Sequence, residues 1–177
     1  YYLNAKSYLI DPQVLSLAPW QAISISIASI IAGWTIYDLL CRSPLGRHEA
    51  ALALVLFVII MAWAAFFSEV FSGRGALIHT GALIGTIMAA NVFMIIIPRQ
   101  KKATNALMRD ETPDPSHGAI AKQRSVHNNY LTLPVLLMMV TSHYPAFVSH
   151  PQKWAIVGLI VVAGAAVRHA INSHDAG

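Results

Sequence analysis

The sequence predicts an all-α fold, a polytopic transmembrane helical bundle of about five spans. Three observations predict it. Charged residues make up only 11% of the chain and hydrophobic residues 56%, where a soluble domain carries roughly 25% charged. Apolar stretches of about 20 residues, the length that crosses a bilayer, recur along the chain. The strict alternation that a membrane β-barrel requires is absent, and open strands leave backbone groups unpaired in lipid.

The elements follow in order. Residues 1–19, "YYLNAKSYLIDPQVLSLAP", read as an extra-membrane segment broken by Pro12 and Pro19. Tyr1, Tyr2, Tyr8 and Trp20 suit a membrane interface. Spans are expected over 20–40, 50–71, 76–97, 128–148 and 152–171, which make residues 20–177 the transmembrane domain. Pro98 is expected to stop the third, and the fourth contains Pro134 and Pro145. Between them lies one long loop, 98–126, with a short helix near 102–108 before the turn signal "TPDP". Gly81, Gly85 and Ala89 form a small-residue patch, read first as ordinary bundle packing and second as a dimer face.

Charge orients the bundle. Five spans place all but Lys6, Arg74 and Lys153 of the 12 Lys and Arg on one side. That side is therefore expected to be cytoplasmic, with the N-terminus outside and the C-terminus inside. The basic pI of about 9.4 then marks loops, and no nucleic-acid partner is expected. The single cysteine, Cys41, excludes a disulfide within the chain. A start at Tyr1, without Met or a basic leader, reads as a piece of a longer protein.

The chain has 8 histidines. His48, His117, His150 and His174 fall in loops or the tail and read as solvated. The other four lie near span ends at two levels: His79 and His143 toward the outer face, His127 and His169 toward the inner. Ionisable groups at membrane depth are costly and often functional. Neutral imidazoles from facing helices are how a bundle holds haem b, so these four are the expected haem-iron ligands. Their spacing leaves a difficulty, because His127 and His143 stand about 24 Å apart along one helix and point to nearly opposite faces. Either Pro134 kinks the helix or His143 lies past its end. Three readings stay open: two haems, one haem or metal, or histidines hydrogen-bonded to backbone or headgroups. Asp38, Glu69 and Asn91 read as caps or interhelical hydrogen bonds, with a proton or substrate role second for Glu69 and Asn91. Phosphate loop, nucleophile elbow and C-x-x-C-H haem attachment site are all missing.

The stretches "SYLIDP", "GWTIYDLLCR", "TIMAANVFMIIIPRQKK", "DPSHGAIAKQRSVHNNYLTLPVLLMMVTSHYP" and "VRHAIN" occur in that order between Asn4 and Asn172. Together they resemble the membrane domain of the bacterial membrane-bound urate hydroxylases, the cytochrome-c-linked urate oxidases. The resemblance implies an integral protein of the bacterial inner (cytoplasmic) membrane that oxidises urate to 5-hydroxyisourate and passes electrons to a c-type cytochrome. It also implies further membrane helices upstream and haem c only on a partner or missing domain. For urate, a flat anionic purine, Arg124 with Asn128 or Asn129 offers matching donors. The other reading is that Arg124 anchors the cytoplasmic face and the asparagines cap the helix. The alternative to an enzyme is a non-catalytic transmembrane subunit of a larger respiratory or photosynthetic complex.

Overall fold

The structure is a computed structural model that describes residues 2–175; Tyr1, one of the expected interface aromatics, lies outside them. Five long helices make the bundle: α1 (Pro19–Arg42), α2 (Glu49–Val70), α3 (Gly73–Leu107), α4 (Pro115–Thr141) and α5 (Lys153–Asp175). No strand occurs among the described residues. The protein is an all-α membrane protein.

α1 shows how lipid inverts ordinary amphipathicity. Ser26, Ser29, Gly33, Tyr37 and Cys41 recur every three or four residues and are buried, while Ile27 and Ile31 face outward. Small and polar side chains meet other helices, and branched apolar ones meet lipid. α2 likewise turns Leu54 and Val58 outward and buries Ala64, Phe67 and Ser68.

Two expectations for the middle of the chain are corrected. Pro98 does not end the third helix. It lacks the N–H that would bond the carbonyl of Met94, and its ring would clash there. A π-helical segment over Asn91–Ile96 widens the turn just before it, and the helix runs on to Leu107. α3 is therefore 35 residues long, about 52 Å at 1.5 Å per residue, well beyond the ~30 Å hydrocarbon core. α4 starts at Pro115 rather than near 128, capped by the Asp114 carboxylate on the Ser116 N–H at 2.8 Å. The expected loop 98–126 is thus largely a helical hairpin, and Asp110 turns its tip with φ 57°.

The expected fourth span, 128–148, is not one helix. α4 stops at Thr141 and a short helix follows at Pro145–Val148. Four described helices, α1, α2, α3 and α5, are long and apolar enough to cross a membrane. α4 carries Lys122, Arg124 and His127 in its first half and is not among them. It nevertheless packs between α3 and α5, and α3 touches every other long helix. Pro134 sits against Gly164 of α5, where a Cβ would lie 2.7 Å from the proline Cδ and 2.9 Å from its nitrogen. In the small-residue patch, Gly81 faces Met138, but Gly85 has nothing within 4 Å.

Candidate functional site

The polar groups of α1, α3 and α4 converge near the end of the bundle that carries Arg42 and Arg47. Arg124, only 2% exposed, donates to the Asp38 carboxylate at 2.8 Å. Its guanidinium lies 4.9 Å from the Tyr37 ring centroid. Arg42, one turn beyond Asp38, bonds the other carboxylate oxygen at 2.6 Å. A buried charge persists only when paired, and Asp38 serves both cations.

The asparagines extend this pair in one direction. Asn128 Nδ2 donates to the Met88 carbonyl at 2.9 Å, so its Oδ1 must face Asn91. Asn91 Oδ1 accepts from Arg124 at 3.5 Å. Its amide therefore donates to Asn128 Oδ1 at 2.9 Å and to the Tyr37 hydroxyl at 2.8 Å. A carbonyl only accepts and a guanidinium only donates, so both amide orientations are fixed by chemistry. Tyr37 reaches His127 Nδ1 at 2.8 Å. The hydroxyl oxygen can accept a second hydrogen bond, so Nδ1 either accepts the Tyr37 proton or, in the other tautomer, donates to that oxygen. In the second case the Tyr37 proton turns to Cys41 Sγ, a weaker acceptor that also lies 3.9 Å from His127 Nδ1.

His127 opens onto a cavity of about 690 Å3 among all five helices. Its walls are mostly apolar, with Trp63, Phe57 and Leu83 among them, and Tyr37, Tyr130, His127, His169, Gln123 and Glu49 supply polar groups. His169 repeats the His127 arrangement: its Nδ1 lies 2.9 Å from the Tyr130 hydroxyl. So the expected inner pair, His127 and His169, shares one cavity.

The expected outer pair does not form. His79 is 1% exposed, and both of its ring nitrogens are taken by α1. Nε2 lies 3.1 Å from the Ser26 carbonyl and 3.2 Å from Ser29 Oγ; Nδ1 lies 3.3 Å from Ser26 Oγ. Phe67 and Phe71 close edge-on around the ring, with centroids at 4.6 and 5.2 Å. His143 is exposed in the turn after α4, because the helix ends two residues before it. Neither residue lines the cavity.

Nor do Arg124, Asn128 and Asn129 present one face to a ligand. Arg124 and Asn128 are spent on the network just described. Asn129, the next residue, points elsewhere and accepts from Arg168 Nε and from Asn172 of α5.

The quoted stretches that carry the resemblance thus supply, together, the network and both cavity histidines. The family model described as urate oxidase N-terminal matches residues 1–177. The chain belongs to this family. No curated protein and no solved structure matches it. In this urate oxidase-related chain, Tyr37 and Tyr130, which hold the two cavity histidines, are the candidate-site residues that sequence reasoning misses. For Tyr37 the available signal is its place on the polar stripe of α1, one residue before Asp38. Asp38 and Asn91 read from sequence as caps or interhelical hydrogen bonds, and both make interhelical hydrogen bonds.

Proposed function

We propose that the chain is the membrane-embedded part of a urate-hydroxylating system of the bacterial cytoplasmic membrane. Urate and water give 5-hydroxyisourate, two protons and two electrons, and c-type cytochrome outside this chain accepts the electrons. One observation carries the reading beyond family membership: His127 and His169 line one apolar-walled cavity, each with Nδ1 held by a tyrosine.

Haem b is the cofactor this reading expects. The inner pair fits it. Ligating histidines usually have one ring nitrogen fixed by an outer hydrogen bond and the other left to the metal, and Nε2 of both residues has no protein partner among the described residues. A mostly apolar cavity of several hundred Å3 suits a large flat ring. The outer pair, His79 and His143, does not fit, because His79 has no free nitrogen and His143 lies outside the cavity. When bound, the haem supplies one-electron redox chemistry. The protein's share is positioning. Asp38, Arg124, Asn128 and Asn91 hold Tyr37, and Tyr37 holds the His127 ring and sets which nitrogen carries its proton. Iron binding by His127 calls for the tautomer in which Nδ1–H donates to Tyr37.

The test is urate-dependent reduction of a c-type cytochrome, followed at its α band, in membranes containing the full natural assembly. Reduction that disappears when the gene for this chain is deleted supports the proposal. Equal reduction without the chain overturns it and leaves the non-catalytic subunit.

A further inference from the structure

A second cavity, of about 570 Å3, opens at the same end of the bundle. Its walls include Arg42, Arg47, Arg99 and Arg124, with Gln123 and Glu49. Four guanidinium groups face two carboxylates, those of Glu49 and of Asp38 behind Arg42 and Arg124, so two positive charges are uncompensated. Two of the wall arginines also carry buried donors with no partner among the described residues, Arg99 Nε and Arg124 Nε. Buried polar groups in folded proteins are satisfied in about nine cases out of ten. These two Nε atoms are themselves closed off from the surface, so it is the excess positive charge of the cavity wall that points to an acceptor outside the chain, an anion.

We propose that this pocket binds a phosphate oxyanion, carried by an anionic phospholipid headgroup or by free phosphate. The planar donor fork of arginine matches phosphate oxygens two at a time. Basic pockets between membrane helices at the bilayer surface are suited to such headgroups. Ile95 and Ile120 give the pocket an apolar wall, against which the glycerol end of a lipid packs. The mouth is built rather than accidental. Gln123 Nε2 donates to the Gly46 carbonyl at 2.6 Å and pins the Pro44–Arg47 turn, which carries Arg47, beside α4. Gly46 is required there, because a Cβ would lie 2.2 Å from the Cys41 carbonyl oxygen. This site does not rest on the redox reading: Arg47 and Arg99 play no part in holding the histidine pair, although Arg124 belongs to both networks and Glu49 and Gln123 line both cavities.

The experiment is a titration of the purified, lipid-stripped chain in neutral detergent at constant ionic strength, read by thermal unfolding and calorimetry. The probes are inorganic phosphate, short-chain phosphatidylglycerol and short-chain phosphatidylcholine. Saturable stabilisation by phosphatidylglycerol is expected, at least ten-fold tighter than by phosphatidylcholine, whose choline offsets the phosphate charge. Saturation by inorganic phosphate as well assigns the site to the free oxyanion, and saturation by phosphatidylglycerol alone assigns it to lipid. Arg99→Gln weakens the binding ten-fold or more. Arg47→Gln, on the exposed turn, does so without touching the buried network. No saturable shift with either anionic probe, or binding unchanged in both variants, overturns the proposal.

Discussion

The Tyr37 hydroxyl lies 2.8 Å from Nδ1 of His127, a residue 90 positions away on another helix. The same hydroxyl accepts from Asn91 at 2.8 Å. Tyr37→Phe keeps the ring under Arg124 but leaves an Asn91 amide N–H unpaired and His127 Nδ1 with only the weak Cys41 Sγ contact at 3.9 Å. A loss of about 1–3 kcal/mol in stability is expected, read as a lowered unfolding temperature in detergent. An unchanged temperature would show that the contact contributes nothing.

Arg124 and Asp38 form a buried pair at 2.8 Å. Removing one partner strands a charge, and Arg124→Met or Asp38→Asn is expected to cost about 3–5 kcal/mol. The double variant is expected to lose markedly less than the sum of the two. A double-mutant cycle on thermal unfolding measures the difference, and strict additivity would contradict the pairing.

Gly164 faces the Pro134 ring so closely that an added Cβ would stand only 2.9 Å from the proline nitrogen. Gly164→Ala should therefore push α5 away from α4 at a cost of about 1–3 kcal/mol. Gly85→Ala, in open space, should leave stability unchanged or slightly raised. The two unfolding temperatures, compared side by side, decide this.

Much of the fold is legible in the sequence, and the departures share a cause. The long apolar helices and the level shared by His127 and His169 follow from hydropathy and spacing. The outer pair fails because spacing along a helix says nothing of what already occupies a ring. Ser26 and Ser29 on α1 claim both nitrogens of His79, and no pattern in the third helix announces them. The loop 98–126 misleads for local reasons. Pro98 looks like a stop, but the π turn over Asn91–Ile96 accommodates it. "DP" at 114–115 reads as a turn, although Asp before Pro is equally an N-cap followed by the first helical residue.

That cap has a pH signature. The Asp114 carboxyl is held below its ordinary range, first by the Ser116 backbone N–H, then by the Ser116 hydroxyl and the charge of His117. With the folded value below the unfolded one, of about 4, its contribution is complete above the unfolded value and lost as pH falls through the folded one. Amide exchange at Ser116 and His117, corrected for intrinsic rates, should quicken on acidification through that window. Asp114→Asn, which caps without titrating, should show no such step.

The most direct measurement is the reduced-minus-oxidised absorption spectrum of the full natural assembly carrying His127→Ala, His169→Ala, His79→Ala or His143→Ala in turn. The b-type α band is expected to vanish in the His127 and His169 variants and to survive in the His79 and His143 variants, with His79→Ala lowering only stability. A band that survives loss of His127 and His169, or that disappears with His143, would contradict the assignment of the inner pair.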